Sequence, residues 1–183
     1  MRIDALRSQL LLVDWQTRLT PHLSDREATE ENLRRLLVAA RRLETPILVS
    51  EQYPSGLGPT EPALQSLIEP GEVLSKTSFS CLGDPALAVR LSPVGAGGRD
   101  QIVVCGAEAH VCILQTALDL ARGGVQAVVV VDAVTSRTAL SREVAFRRLE
   151  REGVCMATTE MVIFEWLRDA AHPAFREMSR LVR

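Results

Sequence analysis

Short apolar runs alternate with stretches of helical periodicity along the whole chain. Gln9–Asp14 (QLLLVD) sets four apolar residues in succession, the pattern of a strand buried on both faces. Ser24-Asp25-Arg26-Glu27 then has the form of a capping box. It precedes a segment in which Ala28, Leu33, Leu36, Leu37, Ala40 and Leu43 share one helical face. Pro46 ends that helix, and Ile47–Ser50 predicts a second strand. Pro and Gly crowd the stretch from Tyr53 to Pro62, which predicts a loop. A short helix near Glu61–Ile68, a third strand at Glu72–Lys76 and a short helix at Pro85–Leu91 follow. The second half is more regular. Gln101–Cys105 (QIVVC) predicts a fourth strand, and Ala109–Arg122 a helix ended by Gly123-Gly124. Gln126–Asp132 predicts a fifth strand, Ser141–Glu152 a helix and Val154–Thr158 a sixth strand. Thr159–Leu167 and Pro173–Leu181 read as closing helices.

This alternation predicts a three-layer α/β/α fold: a doubly wound, Rossmann-like sheet of about six mainly parallel strands. The 183 residues suit one domain over positions 1–183, with no internal repeat and no linker. Gly95–Gly98 (GAGG) precedes a strand instead of following one, so it predicts a surface turn and not a phosphate cradle.

Composition narrows the function classes. The chain is 46% hydrophobic and 24% charged, which excludes long disorder. Its net charge of −2 offers no basic excess for nucleic acid or a membrane surface. Arg147, Arg148 and Arg151 read as a solvated helix face. The apolar run Leu10–Val13 is too short for a signal segment or a membrane span. Cys81, Cys105, Cys112 and Cys155 have no Cys-x-x-Cys spacing, so neither a zinc ribbon nor a thioredoxin-like pair is expected. Free thiols in a reducing cytoplasm are the expectation, with Cys105 packing at the sheet end. Lys76 is the only lysine in a chain that otherwise uses arginine. An arginine-rich codon bias accounts for the arginines, but not for where the exception falls.

In open parallel sheets, ligands bind outside the carboxyl ends of the strands. The first strand delivers Asp14, Trp15 and Gln16 to that rim, the second Glu51, Gln52 and Tyr53. The third ends on Lys76, followed by Thr77, Ser78 and Phe79, and the fifth ends at Asp132. The fourth leads through Gly106–Val111 to Cys112 in the first turns of a helix. Helix N-termini and a neighbouring ammonium both favour a thiolate, so Cys112 is expected to have a depressed pKa. Asp14 could accept the thiol proton and return it to a leaving group. Taken singly, a cysteine on an apolar helix face is more often a small core residue, and an aspartate at a strand end more often caps a turn. Their convergence with Lys76 at one crevice is what carries the chemistry.

The ordered segments Leu11–Gln16 (LLVDWQ), Glu51–Pro54 (EQYP), Lys76–Ser80 (KTSFS) and Gly106–Cys112 (GAEAHVC) resemble those of the isochorismatase-like cysteine hydrolases. Leu114–Leu120 and Asp132–Arg137 extend the resemblance over nearly the whole chain. The resemblance implies that Asp14, Lys76 and Cys112 form a catalytic triad. It implies a non-proline cis peptide between Ala107 and Glu108, and an oxyanion hole from the N–H groups of Ala109 or Glu108 and of Cys112. It further implies that Gln16, Tyr53 and Phe79 line the substrate pocket, and that the protein is a homo-oligomer. Nicotinamidases of this family hold a metal with Asp and His residues. Here the second strand exits as Glu51-Gln52-Tyr53, and His22, His110 and His172 are scattered singly. No catalytic metal and no cofactor are therefore expected. The resemblance is strongest to the metal-free small hydrolases of unassigned substrate. The expected activity is hydrolysis of a small amide or related carbonyl compound through a thioester on Cys112. The alternatives are a non-catalytic interaction protein that keeps the fold, and a thiol redox sensor pairing Cys112 with Cys105.

Overall fold

A computed structural model describes all residues 1–183. Six strands form one sheet in which every pairing is parallel: β1 (Ser8–Val13), β2 (Ile47–Gln52), β3 (Val73–Lys76), β4 (Gln101–Ala107), β5 (Gln126–Thr135) and β6 (Cys155–Ala157). Their order is β3-β2-β1-β4-β5-β6. The chain winds outward from β1 to one edge, then returns to β4 and winds to the other. All six residues of β1 are buried, as the uninterrupted apolar run predicts for a central parallel strand.

Both faces of the sheet are covered. Leu10 and Leu12 of β1 pack with α1 (Arg26–Arg42), α7 (Thr159–Leu167) and α8 (Phe175–Leu181). Leu11 and Val13 face the opposite way, toward α4 (Pro85–Leu91), α5 (Leu114–Arg122) and α6 (Ala139–Arg151). The two-residue side-chain period of the strand thus divides one sequence run between two cores. The clusters are of similar size, 26 and 21 buried residues, so neither face of the sheet is left for solvent. The Pro- and Gly-rich loop after β2 contains only two single-turn helices, α2 (Pro54–Leu57) and α3 (Pro62–Gln65).

Three local expectations are corrected. The capping box does not form: Asp25 takes a left-handed backbone (φ 51°) and makes no cap hydrogen bond. Ser24 Oγ instead donates to the Ser136 carbonyl at 2.7 Å, and Arg142 pairs with Asp25 at 2.8 Å, so long-range partners outcompete the local box. The fifth strand does not end at Asp132 but runs to Thr135. Two residues of β4 (Val104 to Gly106) span the same step as five of β5 (Val129 to Val134), and this irregularity carries Asp132 out of the ladder. Asp132 Oδ1 accepts from Thr159 N–H (2.8 Å) at the start of α7, away from the β1/β4 crevice. Finally, the segment ahead of α5 is not regular α-helix: Ala109–Ile113 forms a π-helical turn.

Candidate active site

The crevice opens where β1 and β4 part, the switch point of the sheet. At this seam Gly106 (φ +112°) pairs with Val13, and a Cβ there would lie 2.1 Å from the Val13 carbonyl oxygen. Only glycine lets the two strands run this close while the chain turns toward Glu108. The Ala107–Glu108 peptide bond is cis. The π turn follows, closed by N–H donation from Val111 and Ile113 to the Glu108 carbonyl at 3.1 and 3.2 Å. It carries Cys112 to the floor of a cavity of about 550 Å³.

Asp14 leaves β1 with a left-handed backbone (φ 49°), a conformation aspartate tolerates better than most residues. Its side chain is buried beside β2 and β3. Ser50 Oγ donates to Oδ1 at 2.7 Å and Lys76 Nζ to Oδ2 at 2.8 Å. Lys76, at the end of β3, is also buried. Its ammonium donates to Gln52 Oε1 at 2.6 Å and lies 3.2 Å from each of the Ser78 and Phe79 carbonyls. Cys112 Sγ is 3.6 Å from the same nitrogen. One compact cation thus bridges carboxylate and thiol, with carbonyl and amide oxygens filling the remaining directions. A planar guanidinium does not fit that set of acceptors, which agrees with the survival of a single lysine in this chain.

The electrostatics correct one expectation. Cys112 does not have a depressed pKa. Burial pushes the thiol up, the Asp14 charge pushes it further, and Lys76 offsets only part of this. Burial is the larger cause, and Lys76, 2.8 Å from the Asp14 carboxylate and 3.6 Å from the sulfur, does not outweigh it. Asp14 is raised as well, because burial outweighs the stabilising charge of Lys76. For Lys76, burial opposes the charged form, but the combined attraction of Asp14, Cys112 and Cys81 prevails and its pKa is raised. The site therefore sets a thiol of raised pKa beside the buried Asp14–Lys76 pair.

Asp14 and Lys76 at strand ends and Cys112 in the π turn are brought together. The pocket-lining expectations divide. Phe79 lines the cavity. Gln16 does not: it is fully buried behind the wall, accepting from Gln52 N–H (2.8 Å) and donating to the Gly58 carbonyl (2.6 Å). Its amide pins the loop after β2 to the loop after β1. Tyr53 points outward, with its ring over Gly56, where an added Cβ would meet it at 2.4 Å. Cys105 is buried in the core on the other face of the sheet from Cys112. Gln52, Arg18, His22, Leu57 and Arg137 line the cavity without having been singled out as site residues. Gln52 was legible as a strand-end residue. Arg18 and Arg137 sit on loops, and His22 and Leu57 on single helical turns, all too short for periodicity to carry a signal. His110 Nδ1 bonds Ser136 Oγ at 3.0 Å, and no His, Cys, Asp or Glu groups cluster in a metal-binding arrangement. No helix is long and apolar enough to cross a membrane.

Comparison with known proteins agrees with this fold. The isochorismatase domain matches residues 8–161. Isochorismatase domain-containing protein 2A of Mus musculus is 41% identical over 183 residues, covering 100% of this chain and 85% of that protein. Among solved structures, MAR1 ribonuclease from Caenorhabditis elegans superposes with a TM-score of 0.92 at 36% identity, covering 100% of this chain and 92% of that one. The YcaC gene product from Escherichia coli, an octameric hydrolase of unknown specificity, shares the fold (TM-score 0.87, 22% identity, 98% and 95% coverage). With the domain match spanning most of its length, this chain belongs to the isochorismatase family.

Proposed function

We propose that this protein is a cysteine hydrolase acting on a small amide or related carbonyl compound. The observation that carries the reading is the Lys76 ammonium, 2.8 Å from Asp14 and 3.6 Å from Cys112, two residues that line a cavity sized for a small molecule. In this reading the Cys112 proton passes to Asp14 as sulfur attacks the substrate carbonyl. The raised pKa of Asp14 makes it a capable acceptor, and Lys76 stabilises the charge that moves onto sulfur. The Ala109 N–H opens the π turn, where N–H groups have no intrahelical acceptor, and with the Cys112 N–H it serves as oxyanion donor. Asp14 then protonates the departing amine. A water molecule, deprotonated by Asp14, hydrolyses the resulting thioester and restores the thiol.

The test is ammonia release across a panel of small amides, with mass spectrometry of the acyl-enzyme. Cys112→Ala is expected to lower kcat by on the order of 10³-fold or more while the fold is kept. Turnover that survives Cys112→Ala sinks the reading. A redox sensor using Cys105 is disfavoured, since the two thiols pack on opposite faces of the sheet. Phosphodiester cleavage, which the name of the Caenorhabditis elegans structure suggests, meets a net charge of −2 here. Incubation with an RNA oligonucleotide, read as shorter fragments on a denaturing gel, checks it. A homo-oligomer, as for the octameric YcaC gene product, is part of the proposal and is tested by light scattering.

A further inference from the structure

Charges around the cavity do not cancel. Asp14 is answered by Lys76, and Glu108 by Arg137, whose Nε lies 2.8 Å from Glu108 Oε1. Arg18 also lines the cavity, yet its Nη1 donates at 3.0 Å to the Gly56 carbonyl, an uncharged acceptor. Its positive charge faces the same space as the thiol with no carboxylate set against it.

Arg18 is also held in place. Thr17 N–H donates to the Pro59 carbonyl and Arg18 N–H to the Leu57 carbonyl, both at 3.0 Å. Gly58 (φ +78°) permits the contact, because a Cβ there would lie 2.3 Å from Thr17 Oγ1. A guanidinium on a held backbone, bonded only to the Gly56 carbonyl and lacking a fixed anion, is a site suited to a carboxylate brought by a ligand. We infer that the substrate carries a carboxylate distal to its scissile carbonyl, and that Arg18 binds it. This rests on the proposed hydrolase reading and gives its substrate a charge. Leu19, Leu57, Phe79 and Val111 give the same cavity its apolar lining, which suits a short hydrocarbon spacer.

Two alkylating agents of nearly equal size but different charge, iodoacetate and iodoacetamide, read the cavity without knowledge of the substrate. Cys112 alkylation is followed by peptide mass spectrometry at low salt, with the urea-unfolded chain as reference. The iodoacetate-to-iodoacetamide rate ratio is expected to exceed the unfolded ratio by about tenfold, and to fall toward it at high salt. Arg18→Gln is expected to abolish the excess, while Arg122→Gln, remote on α5, leaves it in place. A native ratio equal to the unfolded one, or unchanged by Arg18→Gln, overturns the inference and leaves the hydrolase reading standing. If neither reagent modifies Cys112, the resting thiol is too protonated to alkylate, and the hydrolase reading stays with the Cys112→Ala turnover test. The inference is then decided by thermal shift with succinamate against succinamide. Stabilisation by succinamate alone, lost in Arg18→Gln, supports it, and equal shifts overturn it.

Discussion

Removal of the single lysine tests the electrostatic account most directly. Lys76→Met keeps the length of the side chain but deletes its charge, leaving a buried Asp14 carboxylate with only Ser50 as a side-chain donor. At the 2.8 Å separation of the pair, Coulomb attraction at an effective dielectric constant of about 20 is roughly 6 kcal/mol. Desolvation of both groups opposes this, so the measurable loss is smaller. Breaking a buried pair by deleting one partner typically costs about 3–5 kcal/mol. Asp14 can also escape by taking a proton, which its raised pKa favours and which places the loss toward the lower end of that range. Asp14→Asn should show a comparable loss, because an unpaired ammonium is then left among the Gln52, Ser78 and Phe79 oxygens. In the double variant no buried charge remains. Its loss is therefore expected to fall short of the sum of the singles by about 2 kcal/mol or more. Urea unfolding of all four proteins, with m held as a check on two-state behaviour, measures this. Additivity within about 0.5 kcal/mol would refute the claim that the two charges stabilise each other in the folded protein.

The raised pKa of Asp14 also fixes the direction of a pH effect. A base must be unprotonated to accept the thiol proton, so activity is lost as pH falls through the folded-state value. The acid limb of kcat/KM is expected above the 3.8 of an unperturbed carboxylate, and a limb at or below 3.8 argues that another group is the base. Gly106→Ala should destabilise the fold by more than about 2 kcal/mol, since the new Cβ meets the Val13 carbonyl oxygen and φ is unfavourable for any L-side chain. Chemical denaturation reads that loss, and a change below about 0.5 kcal/mol would show that the seam relaxes.

Much of the architecture was legible because it depends on short-range rules. Uninterrupted apolar runs such as Leu10–Val13 mark strands buried on both sides, and their alternation with amphipathic segments leaves few topologies open. The meeting of Asp14, Lys76 and Cys112 followed from the same logic, since the carboxyl ends of parallel strands share one rim. Failures fell where distant groups compete. The capping box at Ser24 lost its donor to Ser136, far along the chain. The end of β5 is set by an irregular pairing with β4 that no local pattern encodes. The π turn before α5 differs from an α-helix by a single residue in its hydrogen-bond step, too small a change for apolar spacing to register.

The sequence by itself determined the sheet, its parallel connections and the identity of the three groups at its rim. Side-chain type and two-residue or helical periodicity are enough for that. Only the tertiary structure decided the electrostatic state of those groups. Burial and the carboxylate neighbour push up the pKa of the thiol expected to be acidic, and Lys76, closer to Asp14 than to Cys112, does not outweigh them. The same holds for the cavity mouth, where Arg137 finds Glu108 and Arg18 finds only a carbonyl. Charge interactions vary with separations of an ångström and with exposure to water. Neither quantity exists until the chain is folded.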